Sequence, residues 1–181
     1  MKIMIASDLH GDAVCAEEML LTYQKEGADM LLLLGDILYH GPRNDLPKGY
    51  APKRVIELLN GMDTPPVCVR GNCDTEVDQM VLNFPILSDT AILSLDGINV
   101  LATHGHKYNL DALPPLGACK ILLHGHTHVF ACEEFGDGCL YLNPGSVSLP
   151  KNGNPRTYMI FESRCFSLKT FDGCTVFTKK I

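Results

Sequence analysis

Five times along this sequence an apolar run ends and a side chain able to bind a metal follows at once. After Lys2–Ala6 come Asp8 and His10, and after Met30–Leu34 comes Gly35-Asp36. After Pro66–Arg70 comes Gly71-Asn72-Cys73-Asp74, after Ile98–Thr103 comes His104-Gly105-His106, and after Lys120–Leu123 comes His124-Gly125-His126-Thr127-His128. Singly, each group has an ordinary structural role: Asp8 as a helix cap, Asp36 or Asn72 in a turn, a histidine as a hydrogen-bonder. Together they do not, because five of the seven His lie between 104 and 128 and core packing has no reason to put polar groups at all five strand ends. Carboxylate, amide and imidazole donors without thiolate suit Mn²⁺, Fe, Co²⁺, Ni²⁺ or Zn²⁺. Seven candidate ligands are too many for one ion that keeps positions open for water and substrate; two ions sharing a carboxylate fit better. Such a pair, roughly 3.5–4 Å apart, can activate a bridging water and clamp the oxygens of an in-line displacement at phosphorus.

The elements that must position these groups are legible in the first half. The three apolar runs Lys2–Ala6, Met30–Leu34 and Pro66–Arg70 are short enough to be buried parallel strands. Between them Ala16, Met19, Leu20 and Tyr23, then Val55, Leu58, Leu59 and Met62, recur at helical spacing. Gly27 and Pro52 punctuate those helices, and Thr75-x-x-Asp78 opens a third carrying Val77, Met80, Val81 and Phe84. The second half is mainly strands with turn signals at Asp96-Gly97, Gly136-Asp137-Gly138 and Asp172-Gly173, which predicts antiparallel hairpins. An α/β chain of this kind predicts two sheets packed face to face with helices outside. The strand ends of one open sheet lie side by side, so the polar groups should converge on one edge. Residues 38–51, with Gly41, Pro42, Pro47 and Gly49 and no periodicity, read as a lid or specificity loop directly after Asp36.

At 181 residues the chain predicts a single domain, 1–181, large enough to need no disulfides. Its 46% hydrophobic and 20% charged residues exclude disorder, collagen-like repeats and coiled coil. A net charge of −6 argues against a nucleic-acid polymer as substrate, which would require clustered Lys and Arg, yet two divalent ions less Asp8 and Asp36 still leave a local +2 for a small phosphate ester. The eight Cys form no Cys-x-x-Cys pair and read as reduced thiols, and with no secretory or membrane-spanning apolar run the expected location is cytoplasmic.

Asp8-x-His10, Gly35-Asp36, Gly71-Asn72-Cys73-Asp74, His104 and Gly125-His126-Thr127-His128 resemble, in order, the motifs of the calcineurin-like metallophosphoesterase superfamily. Gly35 to Asn44, Arg70 to Asp74 and the Asn143-Pro144-Gly145-Ser146 turn are similar to its small single-domain branch, nearest the bacterial YfcE-type phosphodiesterases. The resemblance implies a four-layer α/β/β/α sandwich of two mixed sheets flanked by helices. It implies that Asp8, His10, Asp36 and His128 bind one divalent ion and Asp36, Asn72, His104 and His126 a second, with manganese favoured over iron, cobalt, nickel or zinc. It also implies phosphodiester hydrolysis by a hydroxide bridging the two ions, with Asn72, Cys73, Asp74 and His104 as the catalytic group and His106 outside the ligand set. Arg43 and Asn44, with Asn72 and Cys73, are the expected substrate contacts. Relatives of this branch form homodimers or homotetramers, and others of this fold serve as partner-binding scaffolds. Phosphomonoesterase action is a further alternative.

Cys73 departs from the superfamily's usual Gly-Asn-His-Asp/Glu. An imidazole there contacts phosphate and helps protonate the leaving oxygen, whereas a thiol is a weaker donor and never cationic. Losing that positive charge penalises a dianionic monoester more than a monoanionic diester, so diesters are the expected substrates.

Overall fold

The computed structural model describes residues 1–181. Strands β1 (Ile3–Ala6), β2 (Met30–Leu33) and β3 (Val67–Cys68) alternate with helices α1 (Ala13–Glu26) and α2 (Pro52–Asn60), as the apolar periodicity predicts. Helix α1 starts at Asp12, whose side chain accepts from the Cys15 N–H, and ends at Gly27 with φ of 62°, a left-handed cap open to glycine at no steric cost. Asp8 therefore is not the cap of this helix.

Helix α3 is a single turn, Glu76–Gln79, and not the longer helix that Val77, Met80, Val81 and Phe84 suggested. Its capping box between Thr75 and Asp78 forms as expected. The Gln79 amide then bonds the carbonyls of Leu82 and Phe84 and the N–H of Ile86, drawing the chain out of the helical path. Phe84 is buried as a result, while Val77, Met80 and Val81 stay exposed.

The later strands are β4 (Thr90–Leu95), β5 (Ile98–Thr103), β6 (Ile121–Leu123), β7 (Ala131–Phe135), β8 (Cys139–Asn143), β9 (Thr157–Glu162), β10 (Cys165–Thr170) and β11 (Thr175–Lys180). The three expected hairpins form: β4–β5, β7–β8 and β10–β11 are antiparallel. The second half is not wholly antiparallel, however, since β5, β6 and β8 run parallel. Strand β9, which no alternation marks in the sequence, is buried over five residues and lies antiparallel to β1.

Two mixed sheets result, ordered β11-β10-β9-β1-β2-β3 and β4-β5-β6-β8-β7. Alternation along β1 and β2 sends Ile3, Ile5, Leu32 and Leu34 into the core between the sheets, with Phe161 and Phe166, and sends Met4, Ala6, Leu31 and Leu33 toward α1 and α2. Burying each of the Ile, Leu, Met and Phe side chains stabilises the fold by about 1.5–3 kcal/mol. The outer face of the second sheet is covered by the 105–119 segment, which lays Leu110 and Leu116 against Leu101, Cys119 and Leu122.

Candidate metal centre and catalytic pocket

All five polar clusters sit on loops leaving the C-terminal ends of parallel strands, but those strands belong to two sheets. Asp8 and His10 follow β1, Asp36 follows β2 and Asn72 to Asp74 follow β3, whereas His104 follows β5 and His126 and His128 follow β6. The expected edge of one open sheet is thus a seam between two. Face-to-face packing of the sheets brings the histidine-bearing loops over the carboxylates.

Asp8, His10, Asp36, His126 and His128 all have left-handed backbone, with φ between 50° and 67°. Such conformations cost non-glycine residues about 1–3 kcal/mol and persist only where the surroundings over-determine them. Here the carbonyl of Asp8 accepts from the Ser146 and Ser148 hydroxyls at 2.8 and 2.9 Å, and the His10 N–H donates to the Asp36 carbonyl at 2.9 Å. The His126 N–H reaches back to Asp8 Oδ2 at 3.0 Å. Asn143 is fully buried and donates to the Gly125 carbonyl and the Thr127 hydroxyl, fastening the loop that carries His126 and His128. Space is equally constrained: a Cβ on Gly71 would collide with the Asp36 carboxylate, and one on Gly125 with the Ser7 hydroxyl.

Three imidazoles are oriented by backbone carbonyls. His10 Nδ1 meets Tyr39 O at 2.9 Å, His104 Nδ1 meets Leu34 O at 2.6 Å and His128 Nδ1 meets Leu149 O at 2.6 Å. A carbonyl only accepts, so each Nδ1 carries the hydrogen and each Nε2 turns inward. There the Nε2 atoms of His10 and His128 stand 3.1 Å apart, and His128 Nε2 lies 3.3 Å from Asp8 Oδ1. His104 Nε2 faces Asn72 Oδ1 at 3.1 Å and His126 Nδ1 at 3.2 Å. Asp36 Oδ2 lies almost equally far from His10 Nε2, 3.6 Å, and His104 Nε2, 3.5 Å, while its Oδ1 accepts the Cys73 N–H.

With the rings neutral, acceptors therefore face acceptors, and buried Asp8 Oδ1 has no hydrogen-bond partner. That donor set fits divalent cations, which are what such a concentration of inward lone pairs and carboxylates would bind. Asp8, His10 and His128 offer donor atoms all within 4.8 Å of one another, as do Asp8, Asp36 and His104. The carboxylate field is strong: burial draws His104 down, yet Asp36, Asp8 and the Leu34 carbonyl outweigh it and push that imidazole up to about 9. Burial and the neighbouring His104 hold His126 down at about 4, leaving it a neutral donor.

Asp74, expected among the catalytic residues, lies beneath Asp36 and does not line the cavity. It is buried, and its carboxylate accepts the backbone N–H groups of Asp36 at 2.8 Å, Ile37 at 2.9 Å and Gly71 at 2.7 Å, so both oxygens are engaged by the backbone. Cys73 Sγ borders the cavity and groups with His10 and Asp36. Burial and the Asp36 carboxylate push its thiol well up, so it stays protonated. Asn72 is exposed beside it and donates Nδ2 to Sγ at 3.2 Å.

A cavity of about 340 Å³ opens over this floor, and Arg43 and Asn44 line it with Asn72 and Cys73. The 38–51 loop is tied to the turn after β1 through Asp12, which pairs with Tyr50 and accepts the Gly49 N–H. His106 stands beside His104, ring centroids 5.4 Å apart, and His124 stacks on Tyr141 at 4.4 Å. Lys151, which no local motif marks, also lines the cavity, and Ser146 and Ser148 support Asp8 from the same stretch of chain. The Asn143-Pro144-Gly145-Ser146 turn was the available signal for those two serines.

Residues 1–164 match the family model described as the calcineurin-like phosphoesterase superfamily domain. The phosphodiesterase YfcE of Escherichia coli is 45% identical over 168 residues, covering 93% of this chain and 91% of that one. The solved structure of that E. coli phosphoesterase superposes with a TM-score of 0.94 over all of both chains, at 41% identity. Vps29 of Entamoeba histolytica, at 18% identity and a TM-score of 0.61 over 100% of this chain and 98% of its own, shares the fold alone. With the motifs, the two-sheet seam and these likenesses in agreement, the chain belongs to the calcineurin-like phosphoesterase superfamily.

Proposed function

We propose that this chain is a phosphodiesterase whose single domain, 1–181, holds two divalent cations, one by Asp8, His10, Asp36 and His128 and one by Asp36, Asn72, His104 and His126. The observation that carries the reading is the inward-facing set of imidazole Nε2 atoms and carboxylate oxygens, with buried Asp8 Oδ1 left without a hydrogen-bond partner. Asp36 Oδ2, nearly equidistant from a histidine of each set, is the shared ligand. Manganese is the proposed ion, supported by hard and borderline oxygen and nitrogen donors, with iron, cobalt, nickel or zinc as competitors. When bound, such a pair supplies Lewis acidity at the phosphoryl oxygens and an ionised water near neutral pH.

The chain's own residues do the rest. Asn72 and Asn44 bind the scissile phosphate, Arg43 meets the substrate at the cavity mouth, and Cys73 closes the cavity with a neutral side chain where a cation would favour dianions. A small phosphodiester follows, in keeping with the name of the E. coli relative. A cytoplasmic location is supported by eight unpaired cysteines, and no helix is long and apolar enough to cross a membrane. Assembly as a homodimer or homotetramer completes the reading, with exposed Val77, Met80 and Val81 as apolar surface for it.

The test is turnover of bis(p-nitrophenyl) phosphate against p-nitrophenyl phosphate after chelation and after adding single divalent metals. Metal-restored hydrolysis that favours the diester is expected. No turnover with Mn²⁺, Fe²⁺, Co²⁺, Ni²⁺ or Zn²⁺ would overturn the proposal.

A further inference from the structure

The cavity above the candidate ligands is lined by two cations and one acid: Arg43 and Lys151 stand against Asp36 alone. Asp36 and His128 lie buried at its floor, whereas Arg43 and Lys151 are exposed at its mouth. This depth separates their roles. A phosphoryl group that reaches Asn72 and Cys73 sits below the two rim cations, which then meet whatever the ester carries outward.

Both cations come from segments pinned to the floor. The His10 ring bonds the Tyr39 carbonyl, and Asn44 Nδ2 donates to the His40 carbonyl at 2.8 Å, shaping the turn that presents Arg43. The Lys151 N–H donates to the His128 carbonyl at 3.1 Å, and the His128 ring bonds the Leu149 carbonyl. Arg70 and Lys107, beside the same motifs, are each held by a carboxylate, and the cations of the chain that lack one, such as Lys25, Lys48 and Lys120, do not line this cavity. Arg43 and Lys151 have no such partner, so their charge is free for a ligand.

We propose that Arg43 and Lys151 form a subsite for a second phosphate, carried on the arm of the diester that is not the leaving group. The preferred substrate is then a diester bearing an additional phosphate and not a neutral-armed one. This deepens the phosphodiesterase reading and rests on it.

Two esters with the same leaving group test it: thymidine 5′-(p-nitrophenyl phosphate) and its 3′-phosphorylated counterpart, offered to Mn²⁺-loaded protein. The 3′-phosphate should raise kcat/KM about tenfold, chiefly through KM, as expected for charge-assisted contacts at a partly exposed site. That ratio should fall toward one in Lys151→Ala and in the Arg43→Ala/Lys151→Ala double variant, and be kept in Lys151→Arg. A ratio of one in the unaltered protein, or a preference that survives in the double variant, overturns the subsite. Calorimetric binding of thymidine 3′,5′-bisphosphate against thymidine 5′-phosphate gives the same comparison without turnover. If neither ester is cleaved, the phosphodiesterase reading fails. The subsite is still judged by whether the bisphosphate binds more tightly and loses that advantage in Lys151→Ala.

Discussion

The Nε2 atoms of His10 and His128 lie 3.1 Å apart, and in the neutral rings neither carries a hydrogen, because the Nδ1–H of each is donated to a backbone carbonyl. Two lone pairs at that distance repel unless a cation accepts both. Removing one should cost the site an ion. His128→Gln is expected to bind about one divalent ion where the unaltered protein binds two, with affinity for the lost ion down by about 100-fold or more. Elemental analysis after dialysis against Mn²⁺ gives the count, and two retained ions would contradict the assignment.

Asp74 holds three backbone N–H groups around Asp36 without reaching the cavity. Asp74→Asn replaces one accepting oxygen with a donor that faces those N–H groups. Destabilisation of about 1–3 kcal/mol is expected, as for a buried hydrogen bond to a charged group, together with weaker metal binding. Chemical denaturation with and without Mn²⁺ separates the two effects. A variant as stable as the parent would show that Asp74 does not position Asp36.

Cys73 stands at the cavity wall as a neutral thiol. Cys73→His restores a group able to carry positive charge beside the phosphate, and monoester hydrolysis should rise relative to diester hydrolysis by about tenfold. An unchanged ratio of p-nitrophenyl phosphate to bis(p-nitrophenyl) phosphate rates would remove charge at this position as the reason for diester preference.

Away from the site, Glu26 ties α1 to the first sheet through Lys169 Nζ at 2.7 Å, Lys2 Nζ at 3.0 Å and the Tyr158 hydroxyl at 2.9 Å. Burial raises its carboxyl, but Lys169, Lys2 and Tyr158 outweigh that and hold it at about 2. A folded-state value below the unfolded one near ~4.3 means stability present above that pH and lost as pH falls toward 2. Glu26→Gln should therefore be less stable at neutral pH and flatter between pH 4 and 2, taking up about one proton fewer on unfolding. Urea midpoints across that range test it, and parallel pH curves for the two proteins would contradict it.

Much of the fold was legible because each element carries a local signal. Alternating burial along β1 and β2, the Gly27 cap, Pro52 at the start of α2 and the three Gly-containing hairpins all follow from short-range sterics and period. Helix α3 was overread, since the long-range work of the Gln79 side chain has no local signature. Strand β9 was missed for a related reason: its five buried residues show no alternation, because both faces are covered.

The sequence by itself determined which groups could do chemistry, since Asp, Asn and His at five strand ends define a hard-to-borderline donor set wherever they meet. Only the tertiary structure decided how they meet. Strands β9 to β11 join the sheet of β1, the second sheet packs across it, and the loops of β5 and β6 are thereby set over those of β1, β2 and β3. Left-handed backbone at Asp8, His10, Asp36, His126 and His128, and the inward turn of each Nε2, depend on distant carbonyls and serine hydroxyls that no local pattern announces. Lys151 joined Arg43 at the cavity mouth for the same reason, through a backbone bond to His128 from a loop far along the chain.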